Sequence, residues 1–315
     1  MSFSASKPVV LVTGVSGFIG GFLVRHLVAR GFRVVGTCRQ RSRVSRDLLE
    51  ACTRIHELKL DDKTDWSAPL SGVDFVVHAA AHVHVRRPKS ADLDLFRAVN
   101  VDGLKRLATC SREASISLFV NLSSIAAEFD SRGSRPTLYG ESKKHGEEAI
   151  AEVLSSSRCR YISLRLPAVY GPGMKGGLKW LYGLVKMRLP LPIVGDSPPR
   201  SYLSVWNLAD CVFHCLASER PLNASVAIAD REALDMQALI ELIAAASGRR
   251  ARGVRVSSRA IAFMSSVLGK RQEFARAMTP ASVDTQEAER VLGWVAPLSA
   301  AESWRKVAMA ASDGR

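Results

Sequence analysis

The stretch Val9-Val10-Leu11-Val12-Thr13-Gly14-Val15-Ser16-Gly17-Phe18-Ile19-Gly20 decides how the rest of this chain is read. An apolar strand runs straight into three glycines at a GxxGxxG spacing. Phe18, Ile19, Phe22, Leu23 and Leu27 then fall on one face of a helix expected over Gly17–Arg30, as in a helix that covers a sheet. In a strand–turn–helix of this kind each glycine has a task. Gly14 permits the tight turn. Gly17 lets backbone N–H groups approach an anion at the helix N-terminus, and Gly20 lets the helix pack closely on the strand. The reading is a dinucleotide site, with Gly14, Ser16, Gly17, Phe18, Ile19 and Gly20 as its candidate contacts.

Beyond this loop, apolar runs alternate with helical patterns. Strands are expected over Val9–Thr13, Arg33–Cys38, Arg54–Lys59, Phe75–His78, Leu118–Ser123 and Tyr161–Leu166. The principal helices between them are expected over Leu95–Ala114 and Tyr139–Ser155. Alternation of strand and helix means βαβ units and a parallel sheet. The fold class is α/β, a Rossmann-type doubly wound parallel sheet with a smaller C-terminal lobe. After Tyr170-Gly171-Pro172-Gly173 the pattern loosens into helical stretches at Leu178–Lys186, Ala209–Ala217, Met236–Ala246 and Arg259–Ala277. Residues 1–165 are expected to form the nucleotide-binding domain and residues 166–315 the substrate lobe. The chain is expected to recross between them near Ser201–Val205 and Val226–Ala229.

The chain has 315 residues, 47% hydrophobic and 23% charged, which excludes disorder, collagen-like repeats and a disulfide scaffold. Its six cysteines contain no CxxC pair, so free thiols in a reducing, cytoplasmic compartment are expected and no metal site. No apolar run reaches the ~18 residues of a membrane span. The opening Met1–Lys7 runs directly into a strand, which reads as a chain without a signal peptide. The net charge of +14 attracts anions. No helix-turn-helix, zinc-finger spacing or aromatic-basic interleaving points to nucleic acid.

The end of the second strand bears on the choice of dinucleotide. A carboxylate there would bind a ribose 2′-hydroxyl. The sequence instead reads Val34-Val35-Gly36-Thr37-Cys38-Arg39, with Arg41 and Arg43 beyond. A guanidinium pairs with a 2′-phosphate that a carboxylate would repel. NADP(H) is therefore favoured, through Arg39, with NAD(H) possible. Asp61 or Asp62 could accept from an adenine amino group, or serve as an ordinary turn aspartate.

Tyr139-Gly140-Glu141-Ser142-Lys143 is Tyr-x-x-x-Lys, which on a helix sets phenol and ammonium on one face. The nearby positive charge is expected to lower the phenol pKa, so that Tyr139 exchanges a proton near neutrality. Upstream, Leu118–Ser124 is an apolar strand ending in Ser123 and Ser124, whose hydroxyls either meet a substrate oxygen or cap the strand end. His82 alternates with His84 among valines past the fourth strand and is a candidate sugar contact. Met174, Trp180 and Tyr182 shape a substrate pocket or pack a core.

Taken in this order, glycine loop, strand-end serines and Tyr-x-x-x-Lys resemble the extended short-chain dehydrogenase/reductase family, the NAD-dependent epimerase/dehydratase group. The resemblance spans nearly the whole chain. It implies cofactor contacts at Ala79, Ala80 and Ala81 after the fourth strand, at Asn100 in Val99-Asn100-Val101-Asp102-Gly103, and at Pro167 in Arg165-Leu166-Pro167-Ala168-Val169-Tyr170-Gly171-Pro172-Gly173. It makes Ser124 the catalytic hydroxyl, Tyr139 the acid/base and Lys143 the ribose anchor. Arg200, in Arg200-Ser201-Tyr202-Leu203-Ser204-Val205-Trp206, becomes a clamp on a substrate diphosphate.

Shorter stretches, among them His82-Val83-His84-Val85 and Glu289-Arg290-Val291-Leu292-Gly293-Trp294, are similar to bacterial UDP-4-keto-6-deoxy-N-acetylhexosamine 4-reductases. The loop Ile125–Leu138 is shorter than theirs. The implied function is hydride transfer to C4 of a UDP-4-keto sugar, in the synthesis of surface-polysaccharide precursors. The alternative is a UDP-hexose 4-epimerase that holds NAD tightly. The implied partners are a UDP-sugar and a second copy of the chain. The resemblance places the homodimer contact on the helices over Leu95–Ala114 and Tyr139–Ser155.

Overall fold

The structure is a computed structural model and describes residues 7–83, 90–128, 137–188, 191–194, 197–220, 222–251, 253–257 and 280–312. The chain divides into two compact units. The first holds the residues up to Leu166 together with Ala209–Ala227 and Gln286–Trp294; the second holds Pro167–Leu208, Ile228–Thr285 and the residues from Val295 on.

The first unit begins with β1 (Val9–Thr13), α1 (Phe18–Ala29), β2 (Arg33–Cys38), α2 (Arg46–Ala51), β3 (Arg54–Glu57), α3 (Ser67–Leu70) and β4 (Phe75–His78). It continues with α4 (Ser90–Arg97), α5 (Gly103–Glu113), β5 (Leu118–Ser124), α6 (Leu138–Leu154) and β6 (Arg160–Leu166). The described strands form a seven-stranded sheet in the order β10-β6-β5-β4-β1-β2-β3, where β10 is Asn223–Ala227, and every pairing is parallel. Order reverses between β1 and β4, the switch point at which open α/β sheets bind ligands beyond the strands' carboxyl ends.

Strands this apolar are covered on both faces. Leu11, Val76, Phe119 and Val120 are fully buried. Leu104 and Leu107 of α5, Ile150 and Leu154 of α6 and Trp66 complete the core on one side. Each such side chain contributes ~1.5–3 kcal/mol through its burial.

The second unit contains β7 (Ala168–Tyr170), α7 (Gly176–Lys186), β8 (Leu191–Val194) and β9 (Tyr202–Ser204). The chain returns to the first unit within α8 (Val205–Ala217) and comes back to form α9 (Met236–Ala246) and β11 (Gly253–Val256). After α10 (Thr285–Leu292) the chain ends in α11 (Ala300–Ser312). β7 pairs with β9 and β8 with β11. Buried Asp230 ties the unit together. It accepts from the Tyr170 hydroxyl at 2.7 Å, from the Ser204 N–H at 3.0 Å and from Asn207 Nδ2 at 2.6 Å. Tyr170 and Tyr182 both stack on Trp304, so Tyr182 packs a core. Trp180 is exposed and Met174 buried.

One element departs from the sequence reading. The single helix expected over Leu95–Ala114 is two helices, α4 and α5, joined by a π-helical turn at Ala98–Asp102. Such wide turns are frequent at functional sites. Here the turn carries Asn100, which is buried and polar. The helix expected over Arg259–Ala277 lies outside the described residues.

Candidate active site

The residues expected to act come from the carboxyl ends of the first unit's strands. At the end of β1, Gly14 has φ +72°, and a Cβ there would meet the Ala80 backbone at 3.0 Å. The glycine loop and the loop after β4 therefore lie against each other. A Cβ on Gly20 would overlap the Gly14 carbonyl, so the first turn of α1 sits directly on the loop. Gly17 is the N-cap of α1, and no side chain caps that helix. Ser16 and Gly17 are exposed, with Phe18 and Ile19 half-buried behind them. The Gly17 N–H closes the turn on the Gly14 carbonyl at 2.9 Å, and the uncapped first turn of α1 beyond it is a cradle kept clear of side chains that fits a pyrophosphate.

Thr13 fixes the adjoining loop. Its hydroxyl accepts from the N–H groups of Ala79 and Ala80, both at 3.1 Å. Its one proton then goes to His78 Nδ1 at 3.0 Å, which leaves the His78 proton on Nε2. Burial, with the Lys143 charge nearby, depresses the His78 pKa to about 3, so this imidazole is neutral. Asn100 fastens the next residues. Its Oδ1 accepts from the His82 N–H at 2.8 Å, and its Nδ2 donates to the His82 carbonyl at 2.9 Å and to Ser142 Oγ at 3.0 Å. The His82 ring packs edge-on against Phe96 of α4, and Phe96 in turn lies 6.3 Å from the Tyr139 ring. His84 lies outside the described residues.

At the end of β5 the two serines part. Ser123 is buried and donates to the Glu147 carboxylate. Ser124 is half-buried, accepts from the Ala126 N–H at 3.2 Å, and hydrogen-bonds Tyr139. Lys143 is buried, and its Nζ donates to the Leu122 carbonyl at 2.7 Å. Burial lowers the Lys143 pKa to about 8, against the pull of the Glu147 charge. Burial raises the Tyr139 pKa, and the Ser124 hydrogen bond opposes that rise. This corrects the expectation that the lysine lowers the phenol's pKa. The i,i+4 spacing does bring the two residues onto one face, but the ammonium is drawn to the Leu122 carbonyl and the Glu147 side. The groups that tune the phenol are burial and Ser124.

Several residues stand apart from the roles expected of them, or were not anticipated. The Asp61 carboxylate accepts from the Lys63 N–H and the Thr64 hydroxyl, so it is occupied within its own turn. Arg39 is exposed at the end of β2, whereas Arg41 is tied to β3 through the Ile55 carbonyl and Glu57. Glu57 lies opposite Cys38 in the β2–β3 register and helps raise the thiol's pKa, after burial. The sequence reading missed this carboxylate because it comes from the neighbouring strand. It also missed Glu147, although Glu147 follows Lys143 by four residues and Tyr139 by eight, the spacing of one helix face. In the second unit, Arg200 pairs through its backbone with Leu234 and bridges to Ala281. Lys306 lies 5.8 Å over the Trp206 ring. Among the described residues no group of His, Cys, Asp and Glu could hold a metal ion, and all six cysteines are free thiols.

A sequence model of the NAD dependent epimerase/dehydratase family matches residues 10–229. The chain belongs to this family. The resemblance read from the motifs thus holds, and with it the expectation of a nicotinamide-dependent enzyme on a Rossmann-type sheet. A relative that spans nearly the whole family member is the UDP-glucose 4-epimerase of Vibrio cholerae. It is 26% identical, over 96% of this chain and 94% of its own. Two solved structures share the fold. The UDP-glucose 4-epimerase of Thermotoga maritima, determined with UDP-glucose, has a TM-score of 0.76 at 21% identity, covering 97% of this chain and 99% of its own. The Bordetella bronchiseptica enzyme WbmG, determined with NAD, has a TM-score of 0.77 at 20% identity, covering 98% and 95%.

Proposed function

We propose that this family member interconverts the C4 epimers of a UDP-hexose, the second of the two chemistries expected from the sequence. The observation that carries the chemistry is the hydrogen-bonded pair of Tyr139 and Ser124 beside the buried ammonium of Lys143. The end-to-end relative from Vibrio cholerae favours epimerisation over net reduction.

A bound nicotinamide supplies the acceptor and donor of the C4 hydride. The protein handles the proton and the orientation. Tyr139 first gives up its own proton to solvent; its phenolate Oη then takes the C4 hydroxyl proton as that carbon is oxidised and returns it as the alcohol re-forms. Ser124 Oγ holds the C4 oxygen for that exchange. Lys143 Nζ keeps two donors beyond the one given to Leu122, enough to anchor a ribose hydroxyl. Gly14, Ser16, Gly17, Phe18, Ile19 and Gly20 hold the pyrophosphate. Ala79, Ala80 and Ala81 line the nicotinamide end on a loop that Asn100 holds through His82, while Arg39 serves the adenosine end. His82 contacts the UDP-sugar. Conversion of UDP-glucose to UDP-galactose by purified protein supports this reading. Failure with both UDP-glucose and UDP-N-acetylglucosamine rejects it.

The second reading, reduction of a UDP-4-keto sugar, has one specific observation in its favour: Cys38 stands where a carboxylate would select NAD, with Arg39 exposed beside it. Consumption of NADPH by a UDP-4-keto-6-deoxy-N-acetylhexosamine favours that reading, and loss of the NADPH preference in Arg39→Ala places it at this residue. The protein is further proposed to act as a homodimer through the segment Leu95–Ala114, which spans the end of α4 and all of α5, and through α6. Leu93 and Leu95 are exposed on α4, and Leu93, Phe96, Val101 and Leu138 line a groove of about 440 Å³. A dimer mass by light scattering supports the pairing and a monomer refutes it.

A further inference from the structure

Behind the reactive hydroxyls lies a buried charged network with no part in the chemistry as described. Glu147 is 6% exposed, yet its carboxylate is fully partnered. Arg165 donates to it from Nη2 at 2.8 Å and from Nε at 3.1 Å. Ser123 Oγ donates to the same group. Ser123 and Arg165 face each other in the β5–β6 register, so one carboxylate pins two adjacent strand ends. One turn earlier on α6 sits Lys143, whose ammonium has, among the described residues, a single acceptor in the Leu122 carbonyl. A buried ammonium so thinly solvated depends on a nearby negative charge.

The geometry points to Glu147 as the positioning residue of this site: its carboxylate clamps Ser123 and Arg165 at the carboxyl ends of β5 and β6 and balances the Lys143 ammonium, so that Ser124 and Lys143 are both held ready beside Tyr139. This rests on reading Tyr139 and Lys143 as the proton-handling pair.

The groups around Lys143 act as follows. His78 on β4 is neutral. Tyr139 on α6 keeps its proton, and Ser123 and Ser124 on β5 are uncharged. Arg165 on β6 is neutralised by Glu147 and, at 3.6 Å, by Glu128, with the Glu287 charge also bearing on it. Glu147 is therefore the anion that acts on Lys143, and it holds the lysine pKa up against burial.

The test follows the lysine directly. Protein carrying ¹⁵N in its lysine side chains is titrated by NMR, and the Lys143 signal is assigned by its absence in Lys143→Arg. The wild-type midpoint is expected near about 8. In Glu147→Gln it is expected at least about one pH unit lower, because the carboxylate is gone and the guanidinium is unbalanced. Should the Arg165 guanidinium, left with Glu128 at 3.6 Å, prevent folding, Glu147→Gln with Arg165→Met removes both charges, and the midpoint is still expected to fall. A midpoint within about 0.3 pH unit of wild type in the folded variant overturns the proposal, since a purely structural clamp leaves the titration in place. Turnover plays no part in this readout. An unmoved midpoint with an inactive Tyr139→Phe enzyme overturns the role of Glu147 alone. An active Tyr139→Phe enzyme overturns the reading of the site on which it rests.

Discussion

In the proposed reaction, Tyr139 is the residue on which the chemistry turns. Before substrate binds, burial disfavours its phenolate and raises its pKa, and Ser124 offsets only part of that rise. Tyr139→Phe removes the proton donor and leaves the ring packed near Phe96. Turnover is expected to fall ~100–10,000-fold while nicotinamide binding stays near normal. Steady-state rates together with cofactor titration check this, and activity within about threefold of wild type contradicts it. At this scale the sequence was legible where residue type and spacing carry the signal, as with Tyr139, Lys143 and the two serines. It was not legible where the partner comes from another strand. Glu57 meets Cys38 only through the β2–β3 register, and Arg165 meets Glu147 only where β6 lies against α6.

At the scale of elements, the glycine loop and α1 form one piece. Gly20 packs against the Gly14 carbonyl with no room for a methyl group. Gly20→Ala must push α1 off β1, and overpacking of this kind costs ~1–3 kcal/mol. Because the displaced turn also carries the phosphate-facing N–H groups, cofactor affinity is expected to fall together with the urea midpoint. A variant that loses neither shows that the close contact is not required. The strands over Val9–Thr13, Arg33–Cys38 and Phe75–His78 match their sequence readings residue for residue, because apolar runs end sharply at turn residues. The π-turn at Ala98–Asp102 was not legible. Hydrophobic periodicity runs on through it, and only the inward turn of Asn100 onto His82 and Ser142 marks the break.

For the whole molecule, the buried neutral His78 links folding to pH. Its pKa is about 3 in the fold against 6.5 in the unfolded chain. The unfolded state therefore binds a proton first as pH falls. The contribution of His78 is complete above about pH 6.5 and is lost progressively from there towards about pH 3. His26 and His56, also depressed mainly by burial, add in the same direction. The unfolding free energy from urea titration is expected to drop between pH 7.5 and pH 5, by an amount of the order of 1–3 kcal/mol. His78→Gln should flatten that slope, and an unchanged slope in the variant contradicts the assignment. Among the described residues no helix is long and apolar enough to cross a membrane.

The whole molecule also frames the central claim, that this family member inverts C4 of a UDP-hexose by removing and restoring the same hydride. The direct measurement is incubation of the purified protein with UDP-glucose deuterated at C4, in ordinary water, followed by NMR of the products. The account predicts UDP-galactose that keeps its deuterium at C4, with no net consumption of nicotinamide. Formation of no galactose isomer, or of one that has exchanged its C4 deuterium for a solvent proton, would contradict it.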